Sequence, residues 1–513
     1  MEKSKRFAAP EAAIRLWFWL FAAAALIAAV CMPDRANMLA GLKQILIQPC
    51  KVTTSYFGVG GFAATFLNMG LVSVICWSLF FLFRAEANNV STLAVILTTG
   101  FGAWGINILN IWPSIAGVFL YALVKKEKLG KLVHAMLFST GLAPLMTDLM
   151  IRYPNDSVVG FHLPGIGIAL LVGIFIGFLM PAGMENSPKV HKGFDLYSAA
   201  FPMGMIAFFL NGTLYKTIGL ELPNPGDTMR VVSPAICNTF CCILFSCCIL
   251  AAFLLGCTPK AYWRLLKDPD TIKDFSSYYG THVFLMNVGV FGLFILGYYN
   301  LIGAPFNGVT FGVVFCMLAT CNAGSHPGNV WPIMLGYLAS SAVFGWLSRL
   351  AGGDFAMVIN AQAIVVGLCY ANGLSPIADK YGWQYGFLAS VMHYLLVTSV
   401  PNMHGGFCLY NGGFTAALIC VILVPELEKF CQLKAPTRRR KSEDGHYDGK
   451  FAGPNPVHMG PIHGVVHDAE ELVHHAGELV HHAGDIMHHA GEVFHQTVEH
   501  KHHDEDKDHT KTK

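Results

Sequence analysis

The stretch "GSHPGNVWP", from Gly324 to Pro332, lies inside a long apolar run of the chain. Its serine, histidine and asparagine are costly to place in hydrocarbon, and its prolines interrupt a continuous helix. A related stretch, "GINILNIWP" from Gly105 to Pro113, has Gly, Asn, Trp and Pro at the matching positions. The two stretches are 219 residues apart, as the pair Trp112 and Trp331 shows. This duplicated polar interruption decides which fold the sequence predicts.

Composition places the chain among membrane proteins. Of its 513 residues, 54% are hydrophobic and only 13% are charged, and the mean hydropathy is +0.49. Soluble domains carry about 25% charged residues. Apolar stretches of transmembrane length recur from Leu16 to Val424. The sequence therefore predicts an all-α, polytopic integral membrane protein with the lipid bilayer as its main partner. The net charge of +2 includes no basic domain, so nucleic acid is not expected as a partner.

The duplication extends well beyond the opening stretch. Asn68 in "TFLNMGLV" corresponds to Asn287 in "FLMNVGVF" at the same offset of 219. "HKGFDLYSAAF" (191–201) corresponds to "HGGFCLYNGGF" (404–414) at an offset of 213, and "GLAP" at Gly141 corresponds to "GLSP" at Gly373. Internal repeats of this kind predict a duplicated architecture. We expect membrane repeat 1 over residues 13–218 and membrane repeat 2 over residues 231–425.

Positive charges predict how the repeats are oriented. The first repeat has seven predicted membrane segments, near 13–32, 66–83, 91–106, 110–124, 132–149, 164–181 and 194–214. The positive-inside rule places the N-terminus (1–12) and the linker 426–470 in the cytoplasm, and the linker 219–230 outside. Because seven is odd, the two repeats are predicted to be inverted relative to each other. A re-entrant hairpin at 91–106 and 110–124 leaves this parity unchanged. Both termini are expected on the cytoplasmic side of the cell membrane.

The interrupted helices suggest a solute site. Secondary transporters use inverted repeats with broken helices and bind solute near the midplane. Ser325, His326 and Asn329 would offer polar contacts at the break, and Asn110 would do so at the duplicate break, which is expected to meet the first from the opposite side. The alternative is a short loop between two ordinary spans, with Trp331 as an interfacial anchor.

Other polar residues in apolar surroundings are further candidates for solute binding. Asn68 and Asn287 either join two helices or line a pathway. The turns that begin the last segment of each repeat offer His191 in one repeat and His404, Tyr410 and Asn411 in the other. A helix N-terminus there favours an anion or a polar solute. The alternative is a helix-starting turn with an interfacial tyrosine.

Two ionisable residues occur in only one repeat. Asp195 stands where the second repeat has Cys408. A carboxylate there is either a ligand for a coupling ion, a proton or sodium, or part of a solvated helix start. His326 stands where the first repeat has Asn107, and it either takes up protons near neutral pH or satisfies a backbone carbonyl. No predicted span carries paired carboxylates, an H-E-x-x-H motif or a nucleophile elbow, so no enzyme activity and no catalytic residue are expected.

The tail beyond residue 470 differs in composition from the membrane region. Of the chain's 22 histidines, 15 lie beyond residue 440. From Glu471 to Val498 the tail repeats seven-residue units of the type "ELVHHAG", with an apolar heptad seam over 471–513 that suits a homo-oligomer. Three pairs of residues at a spacing of four could bind zinc or nickel: His474 with Glu478, His481 with Asp485, and His488 with Glu492. The alternative is a solvated, low-complexity oligomerisation tail.

Three segments carry a resemblance to a known family. The strings "TTSYFGVGGFAATFLNMGLV", "NILNIWPSIAGVFLYA" and "HKGFDLYSAAF" resemble the bacterial membrane family known as domain of unknown function 1576. The resemblance covers about residues 15–425 and excludes the tail. The family pattern has a Lys-Asn pair before the "NIWP"-like run and an Asn after Leu-Tyr. Here "GIN" lacks the Lys and "LYSAAF" lacks the Asn, whereas "LYNGGF" keeps it as Asn411. The resemblance implies a multi-span membrane protein and implies no particular substrate.

The sequence thus favours a secondary active transporter of a small polar or anionic solute. Two other functions stay open. One is a passive channel similar to the urea-transporter class, which also has inverted repeats. The other is a non-transporting membrane scaffold or metal sensor that acts through the His-rich tail.

Overall fold

The computed structural model describes residues 10–153, 160–268 and 273–434, and these residues form helices and no strand. The first half, residues 10–217, contains nine helices among its described residues: α1 Pro10–Cys31, α2 Met38–Leu46, α3 Tyr56–Leu82, α4 Asn89–Gly100, α5 Trp112–Lys125, α6 Leu129–Phe138, α7 Ala143–Arg152, α8 Leu163–His191 and α9 Ala200–Leu210. A π-helical turn, Asn211–Thr217, follows α9.

The second half, residues 234–434, has a similar order of elements with two additional four-residue helices among its described residues. Its described helices are α10 Pro234–Leu254, α11 Pro259–Leu266, α12 Phe275–Tyr278, α13 Thr281–Leu301, α14 Gly308–Leu318, α15 Pro327–Leu350, α16 Gln362–Ala371, α17 Ser375–Tyr381, α18 Trp383–Leu396, α19 Val400–Met403 and α20 Asn411–Lys434. The helices α4, α6, α14 and α16 each continue into a short 3-10 turn. The tail 435–513 lies outside the described residues.

The prediction of a helical membrane protein is confirmed. In the part of the chain that the structure describes, seven helical stretches are long and apolar enough to cross a bilayer: Ala13–Cys31, Tyr56–Leu82, Leu129–Arg152, Leu163–His191, Pro234–Leu254, Thr281–Leu301 and Pro327–Leu350. The helices near the predicted segments 66–83 and 164–181 are longer than expected, with 27 and 29 residues. Hydropathy detects only the apolar part of such a helix, whereas the backbone continues into flanking polar turns.

Burial separates a lipid-facing layer from a protein-enclosed core. Leu163 and Leu171 on α8 expose 85% and 71% of their surface, and α10 and α15 have similar exposed leucines. A contiguous apolar surface of this kind indicates contact with lipid. The stretch formed by α6 and α7 is instead 94% buried within the protein. Every residue of α14 is also buried.

Two helical hairpins each have one arm in the core, α4 or α14, and a second arm, α5 or α15, with an exposed face. In the first hairpin, formed by α4 and α5, the start of α4 lies close to α6, the helix that follows α5, because Ser91 Oγ lies 2.8 Å from His134 Nε2. The two ends of this hairpin are therefore close together. In the second, α14 and α15, Asn307 before α14 donates to Gln362 at the start of α16 (2.7 Å). The tip of each hairpin is the polar interruption found in the sequence. We call residues 104–111 the first break and residues 323–326 the second break.

The equivalent helices α4 and α14 lie side by side and antiparallel. Asn322 at the end of the α14 segment donates to Thr92 near the start of α4 (3.2 Å). At the other end, Gly308 lies against the carbonyl of Ala103, and in between Gly100 and Gly312 leave no room for a Cβ atom. The two helices therefore contact each other backbone to backbone along their length.

Each half also docks a loop on the other half. In the loop before α9 (residues 194–197), the Leu196 N–H donates to the Gly373 carbonyl of the second half (3.1 Å). In the loop before α20 (residues 407–410), the Leu409 N–H donates to the Gly141 carbonyl of the first half (2.9 Å). We call these segments the first and second docking loops. Their exchange ties the two halves together at equivalent points.

Candidate functional site

The first break is held by amide side chains. Asn110 Oδ1 accepts the Asn107 N–H (2.8 Å), and its Nδ2 donates to the Gly105 carbonyl (2.8 Å) and to Thr147 Oγ1 (2.9 Å). Asn110 is 1% exposed. A break in a helix frees backbone groups that must find partners when they are buried. Asn110 supplies those partners.

The second break repeats this arrangement. Asn329 Oδ1 accepts the His326 N–H (3.0 Å), and its Nδ2 donates to the Gly324 carbonyl (2.8 Å) and to Asp379 Oδ2 (2.7 Å). In both halves, the asparagine of the Asn-x-Trp-Pro motif forms hydrogen bonds with backbone groups that the break in the helix leaves free. A role of Asn110 and Asn329 in solute binding stays a prediction, since the hydrogen bonds described for both amides go to protein groups.

Asn68 and Asn287 complete the two breaks from neighbouring helices. Each sits on the long helix that precedes a hairpin and donates through Nδ2 to one carbonyl of the break and to one carbonyl of the 3-10 turn before it. The acceptors of Asn68 are Gly102 (2.7 Å) and Ile106 (2.9 Å), and those of Asn287 are Cys321 (2.7 Å) and Ser325 (3.0 Å). The four acceptors correspond at the offset of 219. Of the two alternatives for these amides, the one that joins helices describes the observed contacts.

The two breaks do not face each other, which differs from the expectation that they meet. Because α4 and α14 overlap side by side, the breaks lie at opposite ends of this pair, roughly 20 Å apart by helix length. By helix rise, the first break lies about 18 Å from the start of the long helix that carries Asn68, and the second lies about 9 Å from the start of the helix that carries Asn287. A small solute does not bridge Asn110 and Asn329 in this state.

His326 and Ser325 have local roles at the second break. His326 Nδ1 accepts the Gly328 N–H (3.1 Å) and so caps α15. Asn107 does the equivalent in the first half, where its Oδ1 accepts the N–H groups of Leu109 and Asn110. The Ser325 hydroxyl lies 3.3 Å from that of Ser375. Because both side chains cap a helix, these contacts explain why one half has His and the other has Asn at this position.

The remaining predicted site residues lie near the docking loops. His191 Nε2 lies 2.9 Å from Ser198 Oγ, within its own half. His404 Nδ1 lies 2.6 Å from Asn411 Oδ1, at the start of α20. Tyr410 is the last residue of the second docking loop, and its hydroxyl is buried with no hydrogen-bond partner among the described residues.

Tyr197 is equivalent to Tyr410, but its hydroxyl group has hydrogen-bond partners. Its oxygen lies 2.8 Å from the Cys316 carbonyl, 3.1 Å from the Cys369 carbonyl and 2.8 Å from Asn372 Oδ1. Tyr197 and Tyr410 both line a narrow, partly open cavity, together with Tyr370 and Ala200. The cavity is too narrow to admit a water molecule. It lies where the docking loops of the two halves come together.

Two helix N-termini border this cavity. The helices α9 and α20 are equivalent, and their first turns touch through Ala200 and Gly413. Phe201 and Phe414, again an equivalent pair, stack with their ring centroids 5.9 Å apart. The first turn of each helix leaves N–H groups without intrahelical acceptors and carries positive potential. Paired N-termini of this kind favour a polar or negatively charged group between them.

Several residues of these sites were missed by inspection of the sequence. Thr147 and Asp379, which contact the two break asparagines, correspond to each other at the offset of 232 that relates "GLAP" to "GLSP". Extending that alignment by six residues would have found both. Tyr197 would have been found as the equivalent of Tyr410 at the offset of 213, whereas Tyr370 gave no signal in the sequence, because aromatic residues are common in membrane helices. The predicted metal pairs of the tail, His474 to Glu492, lie outside the described residues.

Comparison with known families places the membrane region in one group. The family model described as "Protein of unknown function (DUF1576)" matches residues 34–216 and 258–429, which is more than half of the chain. The matched regions fall on the two halves and omit the linker between them. No curated protein and no solved structure matches the chain.

Proposed function

We propose that this chain, which belongs to the DUF1576 family of membrane proteins, is a secondary active transporter of a small polar or anionic solute. The observation that carries the proposal is the meeting of α9 and α20, two equivalent helix N-termini, at the point where the docking loops of the two halves come together. Secondary transporters bind anionic groups at such N-termini near the centre of the membrane. Tyr410 and Asn411, at the start of α20, would contact the solute.

Inverted repeats are part of this proposal. The antiparallel contact of the equivalent helices α4 and α14 supports it, because equivalent elements that run in opposite directions are what inversion produces. The hairpins that they begin would then be re-entrant from opposite sides of the bilayer. The break residues Asn68, Asn110, Asn287 and Asn329 would act by positioning these hairpins.

The close packing at this point supports a carrier rather than an open channel. Because no water molecule fits between the lining side chains, solute would enter only after the docking loops separate. If the docking loops separate so that the site opens to one side of the membrane at a time, the result is alternating access. A proton or sodium ion would then drive accumulation.

Topology provides the first test of the inversion. Reporter fusions at Asp227, in the linker between the halves, and at Lys441, after the second half, are expected to report opposite sides of the membrane. The physical reason is that an odd number of crossings in each half places their ends on opposite sides. If both fusions report the same side, the inverted-repeat proposal is wrong.

Transport itself is tested with the purified full chain in proteoliposomes. The probes are acetate, succinate, phosphate and glutamate, first as stabilisers of the melting midpoint and then as labelled solutes. We expect at least one anion to accumulate above its external concentration when an ion gradient is applied. Equilibration without accumulation would establish a channel, and no uptake of any probe would favour the scaffold or sensor.

A cavity-filling variant locates the site. Ala199 also lines the cavity, so Ala199→Leu should lower uptake at least tenfold. The matched control is Ala23→Leu, which places the same side chain on an exposed position of α1 and should leave uptake unchanged. Equal uptake by both variants would move the solute site away from this cavity.

A further inference from the structure

Asp195 is a buried acid in only one of the two docking regions. It lies in the connection between α8 and α9, four residues beyond the end of the α8 span, and is 2% exposed. The equivalent residue of the second half is Cys408, which is also buried. The alternative of a solvated helix start, raised by the sequence, therefore does not describe this carboxyl group.

The two carboxyl oxygens of Asp195 have different surroundings. Oδ1 accepts the Tyr197 N–H (2.9 Å). Oδ2 is buried and has no hydrogen-bond partner among the described residues. A buried oxygen without a donor is unfavourable for a carboxylate anion, whereas a protonated carboxyl group carries no charge to solvate.

Charged and titratable groups around Asp195 supply no cation to pair with it. His191 of α8 accepts the Asp195 N–H at Nδ1 (3.3 Å), so that nitrogen carries no proton and the ring is neutral. From α20, the neighbouring titratable group is the Cys420 thiol. The Lys380 ammonium of α17 stands over the Phe194 ring at 4.9 Å.

The other basic residue of this region also has a partner. Lys192 pairs with Glu428 (2.6 Å) at an exposed position. Burial therefore raises the pKa of the Asp195 carboxyl group to about 7, and the Tyr197 N–H only partly offsets this rise.

The burial of Asp195 depends on contact between the halves. Its neighbour Leu196 donates to Gly373 of the second half, and a Cβ atom on Gly373 would lie 2.8 Å from Asp195 Oδ1. Water reaches the carboxyl group when this contact opens. Separation of the first docking loop from Gly373 therefore changes the state of the acid.

We infer that Asp195 binds a proton while the first docking loop is closed on Gly373 and releases it to water when the loop opens. The neutral carboxyl group becomes a carboxylate, and one proton leaves. This inference rests on the proposed transport function, for which it names the proton as the coupling ion. Asp195 would be a coupling residue in one half only, and Cys408 would have no such role.

The test measures proton binding by the purified full chain without any solute. A carboxyl group whose pKa is raised by folding stabilises the protein fully below about pH 4, the pKa of the unfolded chain, and this stabilisation is lost as pH rises through about 7. The melting midpoint of the wild type should therefore fall between pH 5 and pH 8 relative to Asp195→Asn. Over this pH range, we expect the melting midpoint of the wild type to fall by several degrees relative to that of the variant.

A second readout and a control make the result specific. The carbonyl band of a protonated carboxylic acid in infrared difference spectra should be present near pH 6, weaken above pH 8 and be absent from Asp195→Asn. The control Asp227→Asn, at an exposed carboxylate of the linker, should follow the wild type throughout.

Two negative results have separate meanings. If Asp195→Asn keeps the pH dependence and the carbonyl band of the wild type, Asp195 binds no proton and the inference is overturned. If Asp195 titrates as expected but no probe accumulates in proteoliposomes, proton binding stands and the proposed transport function fails.

Discussion

Gly177→Leu is expected to abolish the recovery of folded, monodisperse protein. Gly177 of α8 faces α5 so closely that a Cβ atom would overlap the Ser114 carbonyl oxygen, and Gly117 of α5 is equally close to the Ile174 carbonyl. Backbone atoms cannot rotate away from a new side chain, so the helices must separate along their whole contact. Overpacking typically costs 1–3 kcal/mol and here should cost on the order of 3 kcal/mol or more. Size-exclusion chromatography in mild detergent measures the loss.

The chain offers a matched control for this prediction on the same helix. Gly167 of α8 has open space around it, so Gly167→Leu should be recovered as well as the wild type. In the second half, Gly336 faces the Ser390 side chain of α18. Gly336→Leu should have an intermediate effect, because a Cβ atom there would lie 2.8 Å from Ser390 Cβ and 3.0 Å from the Phe387 carbonyl oxygen, a less severe overlap than the one at Gly177. Normal recovery of Gly177→Leu would show that α5 and α8 do not pack as described.

Asn287→Leu should lower the melting midpoint strongly. The substitution removes the donor for the carbonyls of Cys321 and Ser325 and an acceptor 3.2 Å from the Tyr262 hydroxyl. Leaving a buried polar group unsatisfied costs about 1–3 kcal/mol, so the loss at the two buried carbonyls alone should be roughly 2–6 kcal/mol. That is a large fraction of the stability of most proteins, about 5–15 kcal/mol. Thermal unfolding of the detergent-solubilised chain provides the measurement.

Asn300→Leu is the matched control on the same helix, α13. Asn300 exchanges hydrogen bonds with Asn238 at an exposed position, so its loss should change the midpoint little. Asn68→Leu should act like Asn287→Leu but more weakly, because the structure gives its Oδ1 no partner among the described residues. The hypothesis that these amides hold the breaks would be rejected by equal midpoints for Asn287→Leu and Asn300→Leu.

Self-comparison of the sequence predicted which residues are equivalent, but not which copies touch. The offset of 219 identified Asn68 with Asn287 and Asn110 with Asn329, and in each pair the structure shows Nδ2 donating to equivalent backbone carbonyls. The breaks were nevertheless expected to meet, because equivalence says nothing about whether two half-helices abut or overlap. The overlap depends on Gly100 and Gly312, which carry no pattern of their own.

The candidate site shows a second limit of the same kind. Tyr410 and Asn411 were predicted from one motif, but the cavity that Tyr410 lines also needs Tyr197 and Tyr370 from other segments. Asp195 was noticed because it lacks a counterpart, whereas its burial comes from the contact with Gly373 in the other half. Long-range contacts of this type leave no local trace in an amino-acid pattern.

The exchange of docking loops also affects the order of events on the ribosome. The hydrogen-bond donor of the Gly141 carbonyl, the Leu409 N–H, exists only after roughly 270 more residues have been synthesised. At about 5–20 residues per second, that delay lasts roughly a quarter of a minute to a minute. During this interval the newly inserted first half exposes an unfinished polar surface within the bilayer. We therefore expect nascent chains that stop before the second docking loop to be substrates for membrane quality-control proteases, even when all their own helices have been inserted.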